Sequence, residues 1–341
     1  MAALQQVYTS TRIALPGGVD MAWESAIAAF AAVVGAGFVS GREIWVFFAM
    51  HGAAGSLLAL GAALLLGVGA WRTAQLAASV PRVAPLWSTI IAIFSFVTLS
   101  AVIAAMASLA HARFGLSPVL GGAMAAALAA LVQRHGTSAL RRWQGWMLLL
   151  VVLAVCGTAL LGLLRLPPGE MGTAVAPVQA VLAVFGYAAY NVALASDGVR
   201  RSAAGQGIRG QRGALLGGLA AGLLLTLEAV VLARSGMTVA VADLPLREIA
   251  LRLHGALGLG VELAIGLASL SAAASFLQAA ADLFAGTWPT AGLAWLASML
   301  GVQAIVDRAY PAMALVALFW LLALVWPSAL ADRDGPNRRG R

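Results

Sequence analysis

Long apolar runs, separated by short stretches of arginine, glycine and proline, set the rhythm of this chain. They lie near 23–50, 54–77, 86–110, 115–133, 143–164, 175–198, 211–233, 256–284, 288–306 and 309–327. Each approaches or exceeds the roughly 20 apolar residues that a membrane-crossing helix needs. The pattern predicts ten spanning helices, the first of them long and interrupted by glycine. Between the seventh and eighth runs stands LPLREIALRLH. There Leu246, Ile249, Ala250 and Leu253 alternate at helical spacing with Arg247, Glu248 and Arg252, which predicts a short amphipathic helix near 244–254 on the outer surface.

Composition agrees and excludes much else. Hydrophobic residues make up 62% of the 341 residues and charged residues 10%, against about 45–50% and about 25% in soluble domains. Too little polar surface exists to cover a water-soluble globule of this size, so the chain is an all-α integral membrane protein embedded in a lipid bilayer. The first 20 residues hold no separate apolar stretch of the kind a cleaved signal peptide carries. The single cysteine, Cys156, allows neither an intramolecular disulfide nor a cysteine metal cage, and the four histidines are scattered. No HExxH, GxSxG or P-loop pattern occurs, so neither an enzyme nor an ATP-driven pump is expected.

A net charge of +8 could suggest nucleic acid, but all 21 basic residues are arginines lying between apolar runs. The positive-inside rule explains them better. Arg12, Arg72, Arg82, Arg134, Arg141, Arg142, Arg200, Arg201, Arg209, Arg212, Arg333, Arg338, Arg339 and Arg341 would share one side. Arg113, Arg165, Arg234, Arg247, Arg252 and Arg308 would share the other, with Arg42 inside the first span. That bias predicts cytoplasmic termini. The chain then divides into an N-terminal segment 1–21, a five-helix unit 22–165, a second unit 166–327 and a basic tail 328–341.

Two spans carry glycine where a helix should avoid it. The first reads AAFAAVVGAGFVSGREIWVFF over 28–48, with Gly35, Gly37 and Gly41 close together, each costing about 1 kcal/mol in a continuous helix. Within lipid, freed backbone groups are tolerated only where they line an enclosed cavity; the alternative is that these glycines let helices pack closely. The sixth span reads AVLAVFGYAAYNVALASDGV over 180–199, with Gly186 central and Tyr187, Tyr190 and Asn191 just after it. Spans one and six correspond when ten spans divide into five and five. Paired interruptions in two inverted repeats mark the binding site of a secondary transporter.

The stretch VVGAGFVSGREIWVFF, Val33 to Phe48, resembles the signature of the YkvI-type bacterial membrane proteins, usually GAGFASGQE followed by aromatics. Arg42 stands where that pattern usually has Gln. This group is similar to a distant branch of the amino acid–polyamine–organocation superfamily. The resemblance implies the LeuT fold: a 5+5 inverted repeat with broken helices 1 and 6. By position, Gly35, Ala36, Gly37, Phe38, Gly186, Tyr187, Tyr190 and Asn191 would then line the substrate site. It also implies that any sodium site would join carbonyls of the first helix, here Ala31 and Val34, to hydroxyls of the eighth, here Ser271 and Ser275.

Proton coupling competes with sodium. Glu43 and Glu228 lie within apolar spans, where carboxyls are expensive and therefore functional candidates. Glu262 and Asp282 stand near the ends of the eighth span, and Asp197 leads into Arg200 and Arg201. The expected function is secondary active transport of an amino acid or related small amine by alternating access, a symporter coupled to Na⁺ or H⁺. It would need no cofactor beyond a possible Na⁺, no nucleic acid and no obligate protein partner. Two alternatives remain open: an uncoupled facilitator or channel, and a sensory or scaffold protein without transport.

Overall fold

The computed structural model describes residues 22–76, 85–135, 138–167, 175–239 and 241–325. The N-terminal segment 1–21, the whole basic tail 328–341 and Arg82 lie outside these. No strand occurs among the described residues. The first expected span is divided into α1 (Trp23–Val33), α2 (Ala36–Ser40) and α3 (Arg42–Phe47), after which a 3₁₀ turn leads into α4 (Gly52–Gln75). There follow α5 (Pro85–Phe114), α6 (Pro118–His135) and α7 (Ser138–Arg165). The sixth span starts as α8 (Pro177–Val181), passes through one π-helical stretch at Leu182–Gly186 and continues as α9 (Tyr187–Ala203). Then come α10 (Gly207–Ser235), α11 (Pro245–Leu253), α12 (Gly255–Ala280), α13 (Thr287–Ser298) and α14 (Val302–Val325).

Seven of the described helices are long and apolar enough to cross a membrane. The expected ten runs differ from these for physical reasons. Trp23–Val33 is short because the chain breaks after it, and the fourth run forms a helix of 18 residues, Pro118–His135, whose last turn is the polar Gln133, Arg134 and His135. The ninth run ends early, at Ser298, because Gly301 turns the chain with φ 85° before α14 begins. Leu57, Leu64, Leu153 and Leu164 project outward, which water would penalise and lipid does not.

Glycine brings the inner helices together. On α10, Gly213 and Gly217 lie against the backbone carbonyls of Ala22 and Ala26, while Gly218 and Gly222 lie against Leu66 and Ala63 of α4. A Cβ at any of these would collide with neighbouring backbone. Without a hydrophobic drive between helices in lipid, such close backbone contact supplies the association energy. The same helix carries Glu228, so this packing fixes that carboxyl in depth and direction.

Helix α11 lies between the seventh and eighth spans. Pro245, Leu246, Ile249 and Ala250 are buried, so its apolar face is turned onto the protein and not onto lipid. Arg247 ties it to α12, donating from Nε to Glu262 Oε1 at 2.8 Å.

Candidate functional site

The first helix stops because its backbone cannot continue. Val34 has φ −83° and ψ 65°, and Gly35 is extended at φ −92° and ψ −169°. The Gly35 N–H donates to the Val33 carbonyl at 2.9 Å in place of Ala31, whose carbonyl loses that helical donor. Nothing lies within 4 Å of where a Gly35 Cβ would stand, so open space adjoins the break. A second hinge follows six residues later. Gly41 adopts the left-handed conformation, φ 82°, which favours glycine. The Ser40 hydroxyl donates to the Gly37 carbonyl at 2.9 Å, and the Arg42 N–H donates back to that hydroxyl at 3.3 Å.

Two buried carboxyls bracket these hinges. Glu43 Oε2 lies against the side of Gly37 where a Cβ would project. Glu228 Oε1 would be 3.2 Å from a Cβ on Gly41, and the Leu246 nitrogen of α11 would be 3.0 Å from it. The Tyr190 hydroxyl donates to Glu43 Oε1. Asn191 and Tyr187 also adjoin the Glu43 carboxyl, although the Tyr187 hydroxyl completes no hydrogen bond and the Asn191 amide donates to the Tyr187 carbonyl at 3.1 Å. Both Glu228 oxygens are buried without a hydrogen-bond partner. Among the described ion pairs none involves Glu43 or Glu228.

Aromatic rings enclose this polar core. Phe48 meets Tyr187 edge-on at 5.0 Å, Tyr187 meets Tyr190 at 5.5 Å and Tyr190 meets Tyr310 at 5.6 Å, while Phe47 touches both Tyr187 and Tyr190. All five are buried. Such edge-to-face contacts fix ring positions, so the tyrosine hydroxyls are held rather than free to search. On the α11 side, Arg42 is bound to Asp307 of α14, with Nε donating to Oδ1 at 2.9 Å and Nη2 to Oδ2.

The predicted residues are therefore only partly assembled. Gly35, Gly37 and Phe38 stand at the first break, with Phe38 fully buried; Ala36 opens the short helix α2. Tyr187, Tyr190 and Asn191 meet Glu43, which joins the two groups. The sixth helix departs from expectation. Gly186 keeps helical angles, φ −65° and ψ −46°, and the helix widens through a π turn without unwinding. The reason is packing: a Cβ on Gly186 would stand 2.9 Å from the Ala314 Cβ. A π turn rotates the residues that follow it, and here those are Tyr187 and Tyr190.

The expected sodium ligands are not all turned inward. Ser275 is exposed and its hydroxyl donates to the Ser271 carbonyl of its own helix at 3.0 Å. Ser271 is half-buried, whereas Ser269, not among the expected ligands, is fully buried with an unpartnered hydroxyl. Ala31 and Val34 remain at the end of α1, beside the break. Asp282 and Asp197 are exposed. Asp307 and Tyr310 were not singled out by sequence reasoning: the first begins an apolar run beside Arg308, and Tyr310 looks like an interfacial tyrosine until α14 is folded against α9.

No protein-family model matches the sequence, and no curated protein matches it. Among solved structures, the chain is similar to a manganese transporter of Eremococcus coleocola in complex with an aromatic bis-isothiourea substituted compound. The TM-score is 0.45 with 15% identity over 92% of this chain and 74% of that one. A point mutant of the same transporter gives 0.43 and 14%, over 94% and 75%. At this level of overlap neither cargo nor coupling transfers from those proteins to this chain.

Proposed function

We propose that this protein is a secondary active transporter of an amino acid or related small amine, working by alternating access and coupled to H⁺ or Na⁺. The observation that carries the reading is the first helix: it ends at Val33, restarts at Ala36 and leaves open space at Gly35 beside a buried carboxyl and tyrosine cluster. Backbone polar groups released inside a membrane are costly unless a cavity or ligand uses them, and paired N–H and carbonyl ends suit a zwitterion or an amine.

The proposed arrangement has the substrate at Gly35–Gly37, contacting Phe38 and approached by Tyr187, Tyr190 and Asn191. Arg42–Asp307 closes one side, and movement of residues 36–47 about Gly35 and Gly41 opens it. The family and fold reading, YkvI-like within a ten-helix 5+5 LeuT architecture, belongs to this proposal, as do cytoplasmic termini and a bacterial cytoplasmic membrane. If sodium is the coupling ion, the Ala31 and Val34 carbonyls and Ser271 remain the candidate ligands, with Ser275 least well placed.

The test is uptake into proteoliposomes of a labelled panel of amino acids and small amines under imposed proton or sodium gradients. Accumulation of at least one solute above equilibrium is expected. Equilibration without accumulation would make the protein a facilitator, and no movement of any solute would favour a scaffold or sensor.

A further inference from the structure

We infer that the coupling ion is the proton and that Glu43 and Glu228 carry it as a pair, one on a hinged segment and one on a fixed helix. The inference rests on the transport reading for its purpose, but its geometry stands apart from it. Glu43 belongs to residues 36–47, bounded by the break at Gly35 and containing the left-handed Gly41. Glu228 belongs to α10, which is locked by glycine contacts against α1 and α4. The two carboxyls flank one short stretch of backbone, Glu43 beside Gly37 and Glu228 beside Gly41, two residues before Glu43 itself. Movement of the hinged segment must change their separation.

Charge decides what such a pair can hold. Two carboxylates enclosed together, with both Glu228 oxygens unpartnered, repel each other and are poorly solvated; a cation must neutralise them. Space decides which cation. The Glu43 carboxyl occupies the side of Gly37, and Glu228 Oε1 and the Leu246 nitrogen stand where a Cβ on Gly41 would project. A proton adds no volume at either carboxyl, whereas an ammonium group or a hydrated ion would have to displace these neighbours. The Tyr190 hydroxyl donates to Glu43 Oε1, holding that carboxyl in place.

The surrounding groups include tyrosines, a histidine and arginines bound elsewhere. Tyr187 and Tyr190 come from α9, Tyr310 from α14 and His51 from the 3₁₀ turn. Arg42 is bound to Asp307, and Arg247 of α11 is bound to Glu248 and Glu262. When residues 36–47 swing, Glu43 leaves Glu228 and Tyr190 together, so proton binding and the open or closed state become linked. No bond other than O–H is made or broken: a proton leaves one aqueous side, resides on the pair and departs to the other.

Infrared spectroscopy of the purified full-length protein in lipid nanodiscs tests this, because the C=O stretch of a protonated buried carboxyl is visible without a substrate. Titration with pH should show two coupled steps in the wild type. Glu228→Gln and Glu43→Gln should each leave one step, and the double variant none. Tyr190→Phe, which retains both carboxyls, should shift the Glu43 step without removing it. Replacing choline chloride by sodium chloride should leave the bands unchanged. Loss of the bands on adding sodium, or two unaltered steps in both single variants, would overturn the proposal. So would the absence of both steps in folded wild type. The uptake panel fails separately: if no solute moves, transport is wrong while the titration still decides whether the pair holds protons.

Discussion

Two buried acidic sites adjoin α11 and are built in opposite ways. Glu262 of α12 receives Arg247 Nε at 2.8 Å, with Arg113 3.8 Å away, so its charge is answered on the spot. Glu43 and Glu228 have tyrosines, an asparagine and glycine backbone around them, and make no ion pair among the described residues. The first site fastens α11 to α12. The second is left unneutralised by the protein's own residues, beside a segment with a hinge at each of two glycines. A protein that only needed stability would have answered both charges alike, because an unpaired intramembrane carboxyl is a cost that function must justify.

Substitutions can break this contrast, and the largest effect should come from the structural site. Arg247→Ala leaves Glu262 buried with only the distant Arg113, and loss of one partner of a buried pair costs about 3–5 kcal/mol. Thermal unfolding in detergent should show a large fall in Tm, whereas Glu228→Gln should leave Tm unchanged or raised. Equal losses in both would erase the distinction.

Tyr190→Phe should cost less, about 0.5–1.5 kcal/mol where Glu43 holds its proton and about 1.5–3 kcal/mol where it is ionised. Denaturation of the variant measures it, and restoration of stability by adding Glu43→Gln would show that the hydroxyl acts through that carboxyl. Gly41→Ala should cost about 1–2 kcal/mol for the left-handed backbone, plus whatever Leu246 and Glu228 must give; limited proteolysis at the α11 region should report its loosening. Asp197→Asn removes an exposed i,i+4 pair with Arg201 and should change stability by no more than about 0.5 kcal/mol.

Much of the frame was legible in the sequence because membrane helices declare themselves by length and apolarity. The break after Val33 was legible too, since three glycines in seven residues are hard to reconcile with a continuous helix. Gly186 was not so readable: a glycine used for close approach to Ala314 and one used for unwinding look the same in sequence. Glu43 and Glu228 stood out as intramembrane carboxyls, yet their adjacency depends on α3 meeting α10 over 185 residues of chain. Ser271 and Ser275 looked like a paired face by spacing alone, but the hydroxyl of Ser275 bonds back to its own helix, a local alternative that serine always offers. Asp307 gained meaning only from Arg42.

The open space at Gly35 gives the most direct measurement. Gly35 is extended rather than left-handed, and nothing lies within 4 Å of its would-be Cβ, so Gly35→Leu can fold without strain while filling the space beside the break. Uptake of the labelled amino acid and amine panel by proteoliposomes should be abolished in this variant, with its unfolding temperature close to wild type. Normal uptake by a folded Gly35→Leu protein would contradict the account, because a substrate site cannot survive a leucine placed inside it.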